Sequence, residues 1–222
     1  VKALVLDSVY PPGDGVLAQW PLILNSALQK YFDYCDNLKE CRNQHGGIST
    51  EAVFWQAMNK LKVNSQFMQL KNWRGGVIDI QVNDHRLLAA VFSALYDINS
   101  IKKIAPALQS VRAGNDSKLR QLLTPFVNYA LDSSFNAWVY MSVECRENAP
   151  INNADYFRQV ALYPRLQPYL AGVYQWDSCR KLLADGAFDS NQLPSSISTK
   201  LSNKKMLLLA GELDPITPLV WA

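Results

Sequence analysis

Near one end of this sequence, the run Met206-Leu207-Leu208-Leu209-Ala210-Gly211 leads into Glu212-Leu213-Asp214-Pro215-Ile216-Thr217-Pro218. A short apolar run bounded by turn residues reads as a buried parallel strand, and Gly211 as the residue that lets the chain turn at its end. The turn then presents Asp214 at the carboxyl edge of a sheet, where ligands bind in open α/β folds. Pro215 and Pro218 stiffen it. A carboxylate held in this way can accept the Nδ1 proton of a histidine. It would fix the tautomer and stabilise the imidazolium formed when a serine gives up its proton. Asp214 is thus a candidate third member of a triad, not an attacking group. The plainer role for an Asp-Pro pair is an Asx-turn that serves only the local backbone.

Two more carboxylates, Glu144 and Glu147, flank Cys145 and Arg146. Their plain role is a solvated charged turn with Glu147 paired to Arg146, and Asp155 and Asp177 are further acidic candidates. The four cysteines, Cys35, Cys41, Cys145 and Cys179, are even in number. Two disulfides are one reading, which would imply an oxidising compartment, periplasmic or extracellular. Free buried thiols are another. Cys-x5-Cys is not a common zinc spacing and His45 is the only histidine nearby, so neither a metal site nor a cofactor is expected.

Positioning such groups takes a folded frame, and 222 residues are enough for a sizeable core. The net charge of +3 comes from scattered Lys and Arg, with no concentrated basic face of the kind nucleic acid needs. No apolar run approaches the roughly 20 residues of a membrane span. Lys2 to Asp7 repeats the buried-strand signature, so two strands bracket the chain. Between them the periodicity predicts helices over Val16 to Tyr34 with a start or kink at Pro21, and from a Ser49 or Thr50 cap to Leu61. It predicts others from an Asn83 or Asp84 cap to Tyr96, then over Ile98 to Val111, Asp116 to Leu131, Ala154 to Tyr163 and Leu166 to Leu183. Phe67 to Val82 alternates about Trp73-Arg74-Gly75-Gly76 and reads as a hairpin. Ala137 to Cys145 is β-branched and aromatic enough for a strand, though a buried helical turn also fits.

With these elements in place, Leu207 to Pro218 resembles the acid-bearing turn of α/β-hydrolases, most closely the tripeptidyl-aminopeptidase-like and prolyl-aminopeptidase-like group. Lys2 to Gly13 resembles the strand that follows the nucleophile-bearing unit of that group. Cys35 to Cys41 resembles a cysteine pair at the start of its lid, and Cys145 with Cys179 the later pair. The resemblance implies an α/β-hydrolase fragment: core strands in residues 1–15 and 201–222, and a mostly helical lid with a small hairpin over 16–200. It implies disulfides within each cysteine pair. It implies a serine exopeptidase that releases residues or short peptides from peptide N-termini, with Asp214 as triad acid and Glu144 and Glu147 near the substrate's α-amine. Trp20, Trp55, Trp73, Trp138 and Tyr140 become candidate pocket aromatics.

The departures are as informative. The nucleophile of such enzymes sits in a Gly-x-Ser-x-Gly elbow, which this sequence lacks, and Ser8 without flanking glycines reads as a turn residue. The triad histidine should follow the acid, but both His45, read as a loop residue, and His85, read as the first turn of a helix, precede Asp214. The chain is therefore expected to be an internal piece of a longer polypeptide and inactive alone, its sheet completed by the rest of the hydrolase or by a second copy. The alternatives are a non-catalytic helical binding domain and an esterase of the same fold.

Overall fold

Capping side chains and helically spaced apolar residues alternate along this chain, and helix dominates accordingly. A computed structural model describes residues 3–9, 16–148, 153–170, 178–179, 181–182, 184 and 205–219, with the backbone alone at 16–18, 146–148, 153 and 155. In chain order the first elements are β1 (Ala3–Asp7), α1 (Val16–Asn37), α2 (Lys39–Gln44), α3 (Thr50–Val63), β2 (Gln66–Lys71) and β3 (Val77–Val82). They are followed by α4 (Asp84–Ala94), α5 (Ile98–Ala113), α6 (Ser117–Ala130), α7 (Ala137–Asn148), α8 (Asn153–Ala161), α9 (Gln167–Leu170) and β4 (Lys205–Leu209). The chain divides into two compact units, Ser26–Ser133 and the combination of Val1–Asn25 with Ser134–Ala222.

The Ser26–Ser133 unit is a helical layer with a hairpin. Ser49, Asn83 and Asp97 cap α3, α4 and α5, their side-chain oxygens accepting from the amides of Ala52, Arg86 and Ser100. Each cap satisfies an amide that the helix itself leaves without a partner. Gly114 ends α5 in the left-handed region, φ 78°, where a Cβ would be strained. Val53, Phe54, Ala57, Met58 and Leu61 of α3 are buried, as are Ile104, Leu108 and Val111 of α5. The helices α3 and α6 pack on α5, and α4 packs on α3 and α6. β2 and β3 pair antiparallel from Gln66↔Val82 to Lys71↔Val77. Asn72 Oδ1 accepts from the amides of Arg74 and Gly76, closing the hairpin loop, and the Trp73 amide donates to Asn128 Oδ1 of α6.

In the other unit, β1 and β4 form a two-stranded parallel sheet, Ala3↔Lys205 through Asp7↔Leu209. The reading of both as fully buried strands is corrected: every residue of β4 is exposed and β1 alternates exposed with half-buried. A parallel strand is buried only when other elements cover both faces and both edges are paired. Among the described residues each strand pairs only with the other. Of the two readings of Ala137 to Cys145, strand or helical turn, the helical one holds and the strand is corrected, since the segment is part of helix α7. Asn136 Oδ1 accepts from the amides of Trp138 and Val139 and so starts a helix. Among its described side chains, Met141 and Cys145, one turn apart, are buried. The expected helix from Leu166 to Leu183 is α9 with helical residues at 178–179 and 181–182; the stretch 171–177 lies outside the described residues.

Candidate functional site

The parallel pairing sends both strands out at one edge. The Ser8 amide donates to the Leu209 carbonyl at 2.9 Å, so Ser8 leaves β1 where the 210–214 turn leaves β4. That turn closes with the Asp214 amide donating to the Gly211 carbonyl at 3.2 Å. A Cβ on Gly211 would meet Asp214 Cβ only at 3.5 Å, an ordinary contact, so the turn does not depend on the missing side chain. Asp214 Oδ1 accepts from the amides of Ile216 and Thr217, each at 2.9 Å, and Oδ2 accepts from the Thr217 hydroxyl at 2.6 Å. Pro215, Thr217 and Pro218 are buried beneath this clamp. The Asx-turn is therefore present. It is compatible with a triad role, because a carboxylate has about four acceptor sites and this clamp fills three.

Ser8 also bears on this carboxylate. Its backbone lies in the left-handed region, φ 50°, alone in this among the described non-glycine residues. Such a conformation costs roughly 1–2 kcal/mol. The hydroxyl lies 3.4 Å from Asp7 Oδ1 and also bears on Asp214, and its single proton serves one carboxylate at a time. Burial works to raise the Asp214 carboxyl. The Thr217 hydroxyl and amide, the Ile216 amide and the Ser8 hydroxyl together outweigh it and hold the group below the usual carboxylate range. Asp214 is thus an anion at neutral pH, as a group that accepts from an imidazole must be.

Comparisons with protein-family models, with curated proteins and with solved structures find no match. The assignment of chemistry to this chain therefore rests on its own geometry. Glu144 sits half-buried on α7 next to Cys145, and the Glu147 backbone lies three residues on along the same helix. Residues three apart in a helix share a face. The Glu147 side chain, the Asp155 side chain and all of Asp177 lie outside the described residues. Of the candidate aromatics, Trp73 and Trp138 are largely exposed, Trp20 and Trp55 are half-buried, and Tyr140 packs on Phe135 with ring centroids 5.4 Å apart.

Both cysteine pairs are joined, Cys35 to Cys41 and Cys145 to Cys179, which fits a chain that folds outside a reducing cytoplasm. Among the described residues, no helix is long and apolar enough to cross a membrane. His85 lies in the first turn of α4 as expected. His45 follows α2 in a turn, as a loop residue should, and is buried there. Its Nε2 lies 3.5 Å from Cys35 Sγ and its Nδ1 lies 3.1 Å from Gln109 Nε2. Burial holds the imidazole below its usual range, Asp36 opposes that shift and Arg112 adds to it. Ligand atoms of Cys35, Cys41 and His45 all lie within 4.8 Å of one another, but both sulfurs are bonded to each other and are not thiolates. Periodicity misses this cluster because Gln109 is 64 residues away on α5.

Proposed function

We propose that this chain is part of a serine hydrolase of the α/β type, most closely an exopeptidase acting at peptide N-termini, in which Asp214 orients the catalytic histidine. The observation that carries this reading is the turn at the carboxyl edge of β4. It holds an anionic carboxylate by three hydrogen bonds from residues 216 and 217, beside a parallel partner strand. The nucleophile, the histidine and the oxyanion donors would come from sequence outside these residues. The histidine Nδ1–H would take an acceptor site on the carboxylate beyond those three. The exposed faces of β1 and β4 support a sheet completed by further hydrolase strands or by a second copy. The disulfides support a periplasmic or secreted location. No cofactor enters this chemistry.

The test uses the longer natural polypeptide and a fluorophosphonate probe, followed by free-amine and blocked peptide substrates. Labelling of a serine outside this chain, cleavage only of free-amine substrates, and a drop in kcat on the order of 10⁴-fold in Asp214→Asn are expected. Cleavage of simple esters but not peptides would make it an esterase. An unlabelled natural product would leave a non-catalytic binding domain. That outcome has its own structural footing: the Asp214 clamp is complete as a structural turn without any histidine.

A further inference from the structure

Arginine only donates hydrogen bonds, and this sets the direction of a chain of side chains that runs from half-buried Arg112 to buried Cys35. Arg112 Nη1 donates to Gln109 Oε1 at 3.2 Å, so the amide's NH₂ end is the one turned to His45. Gln109 Nε2 therefore donates to His45 Nδ1 at 3.1 Å. A neutral imidazole that accepts at Nδ1 carries its proton on Nε2, and Nε2 points at Cys35 Sγ from 3.5 Å. Burial favours the neutral ring. The relay thus ends in an N–H aimed at one particular sulfur of the Cys35–Cys41 disulfide.

The two sulfurs differ in access. Cys35 is fully buried, whereas Cys41 is partly exposed on α2. A thiolate from solvent can reach only Cys41, and the sulfur that leaves is then Cys35, whose developing negative charge meets the His45 N–H. Exchange is faster when the leaving thiolate is stabilised. The Cys145–Cys179 bond offers no such exposed sulfur, since both its cysteines are buried.

We infer that Cys41 is a site of reversible modification by low-molecular-weight thiols, with Cys35 as the leaving sulfur and His45 Nε2–H as its positioned donor. A small thiol RSH loses its proton to solvent, and RS⁻ attacks Cys41 Sγ. The Cys41–Cys35 bond breaks as the RS–SγCys41 disulfide bond forms, and its electron pair leaves on Cys35 as a thiolate. No net oxidant is needed, and attack of Cys35 back on the mixed disulfide restores the starting bond. Opening the bond removes the side-chain link between α1 and α2, while Leu38 still joins them and Lys39–Gln44 retains its packing on α5. The inference is independent of the hydrolase reading.

The test treats the oxidised full chain with graded reduced glutathione in non-denaturing buffer, quenches with an alkylating agent and maps the cysteines by peptide mass spectrometry. Glutathione is expected on Cys41, alkylation on Cys35, and Cys145–Cys179 intact. Arg112→Met removes the surface end of the relay and Gln109→Met its middle. Each should slow adduct formation by about tenfold, the value of one hydrogen bond to a charged group. The N–H that stabilises Cys35 is then no longer held in place. Circular dichroism at equal denaturant midpoint shows that the fold is kept. If Gln109→Met does not fold, Arg112→Met alone decides. Adducts on Cys35 in similar yield, joint opening of both disulfides, or an unchanged rate in folded Arg112→Met would each overturn it.

Discussion

At the scale of the residue, Asp214 carries two roles on one carboxylate. Oδ1 and Oδ2 tie the turn together through residues 216 and 217, and the same bonds keep the group ionised. Its folded-state pKa lies below its unfolded value of about 3.9. The stabilisation is therefore full above about pH 4 and lost as pH falls through the folded-state value. Thermal unfolding of the wild type and Asp214→Asn, compared from neutral pH downward, should show a gap that is constant near neutrality and closes below about pH 4. A gap that stayed constant to the lowest pH would mean that the clamp does not depend on charge. The turn itself was legible from Gly211, Pro215 and Pro218, whereas the bonds of Thr217 to Asp214 were not. Ser8 was legible only as a turn residue, because its approach to Asp214 joins residues from opposite ends of the chain.

At the scale of the element, local signals are strong where a cap and a period agree. Asn83 illustrates this: its side chain accepts the Arg86 amide at 3.0 Å, and α4 then runs with Leu87, Leu88 and Val91 buried. Asn83→Ala should cost about 1 kcal/mol, read as a lower urea midpoint with an unchanged m-value. A change in m instead would mean that α4 had ceased to belong to the cooperative unit. α7 shows the opposite case. Its residues Trp138, Val139 and Tyr140 favour strands, yet they follow the helix that Asn136 starts and pair with no strand among the described residues. The Cys145–Cys179 bond holds the buried turn of this helix across a separation of 34 residues.

At the scale of the whole molecule, the parallel strand pair is the feature out of keeping with an ordinary core. Val5 and Leu207 are register partners and are 62% and 53% exposed. Cross-strand partners point to the same face, so the two make a continuous apolar surface beside edges that pair with no other strand among the described residues. The chain by itself should therefore self-associate, and Val5→Lys combined with Leu207→Lys should return it to a monomer in sedimentation velocity. A monodisperse wild-type monomer with both strands in place would contradict this. The Ser26–Ser133 unit buries its apolar residues within its own helices, as Phe54, Leu61, Ile104 and Leu108 show.

The sequence by itself determined the helices with caps, the hairpin about Gly75, a strand at each end and the joined cysteines, the last through resemblance. Each of the first three is written in residues a few positions apart, so period, cap and turn chemistry suffice to reveal it. Only the tertiary structure decided that the end strands are exposed, that Ser8 meets Asp214, and that Arg112, Gln109 and His45 line up on Cys35. Those facts depend on which surfaces of distant segments meet, and burial and hydrogen-bond direction are set by neighbours in space that no local pattern encodes.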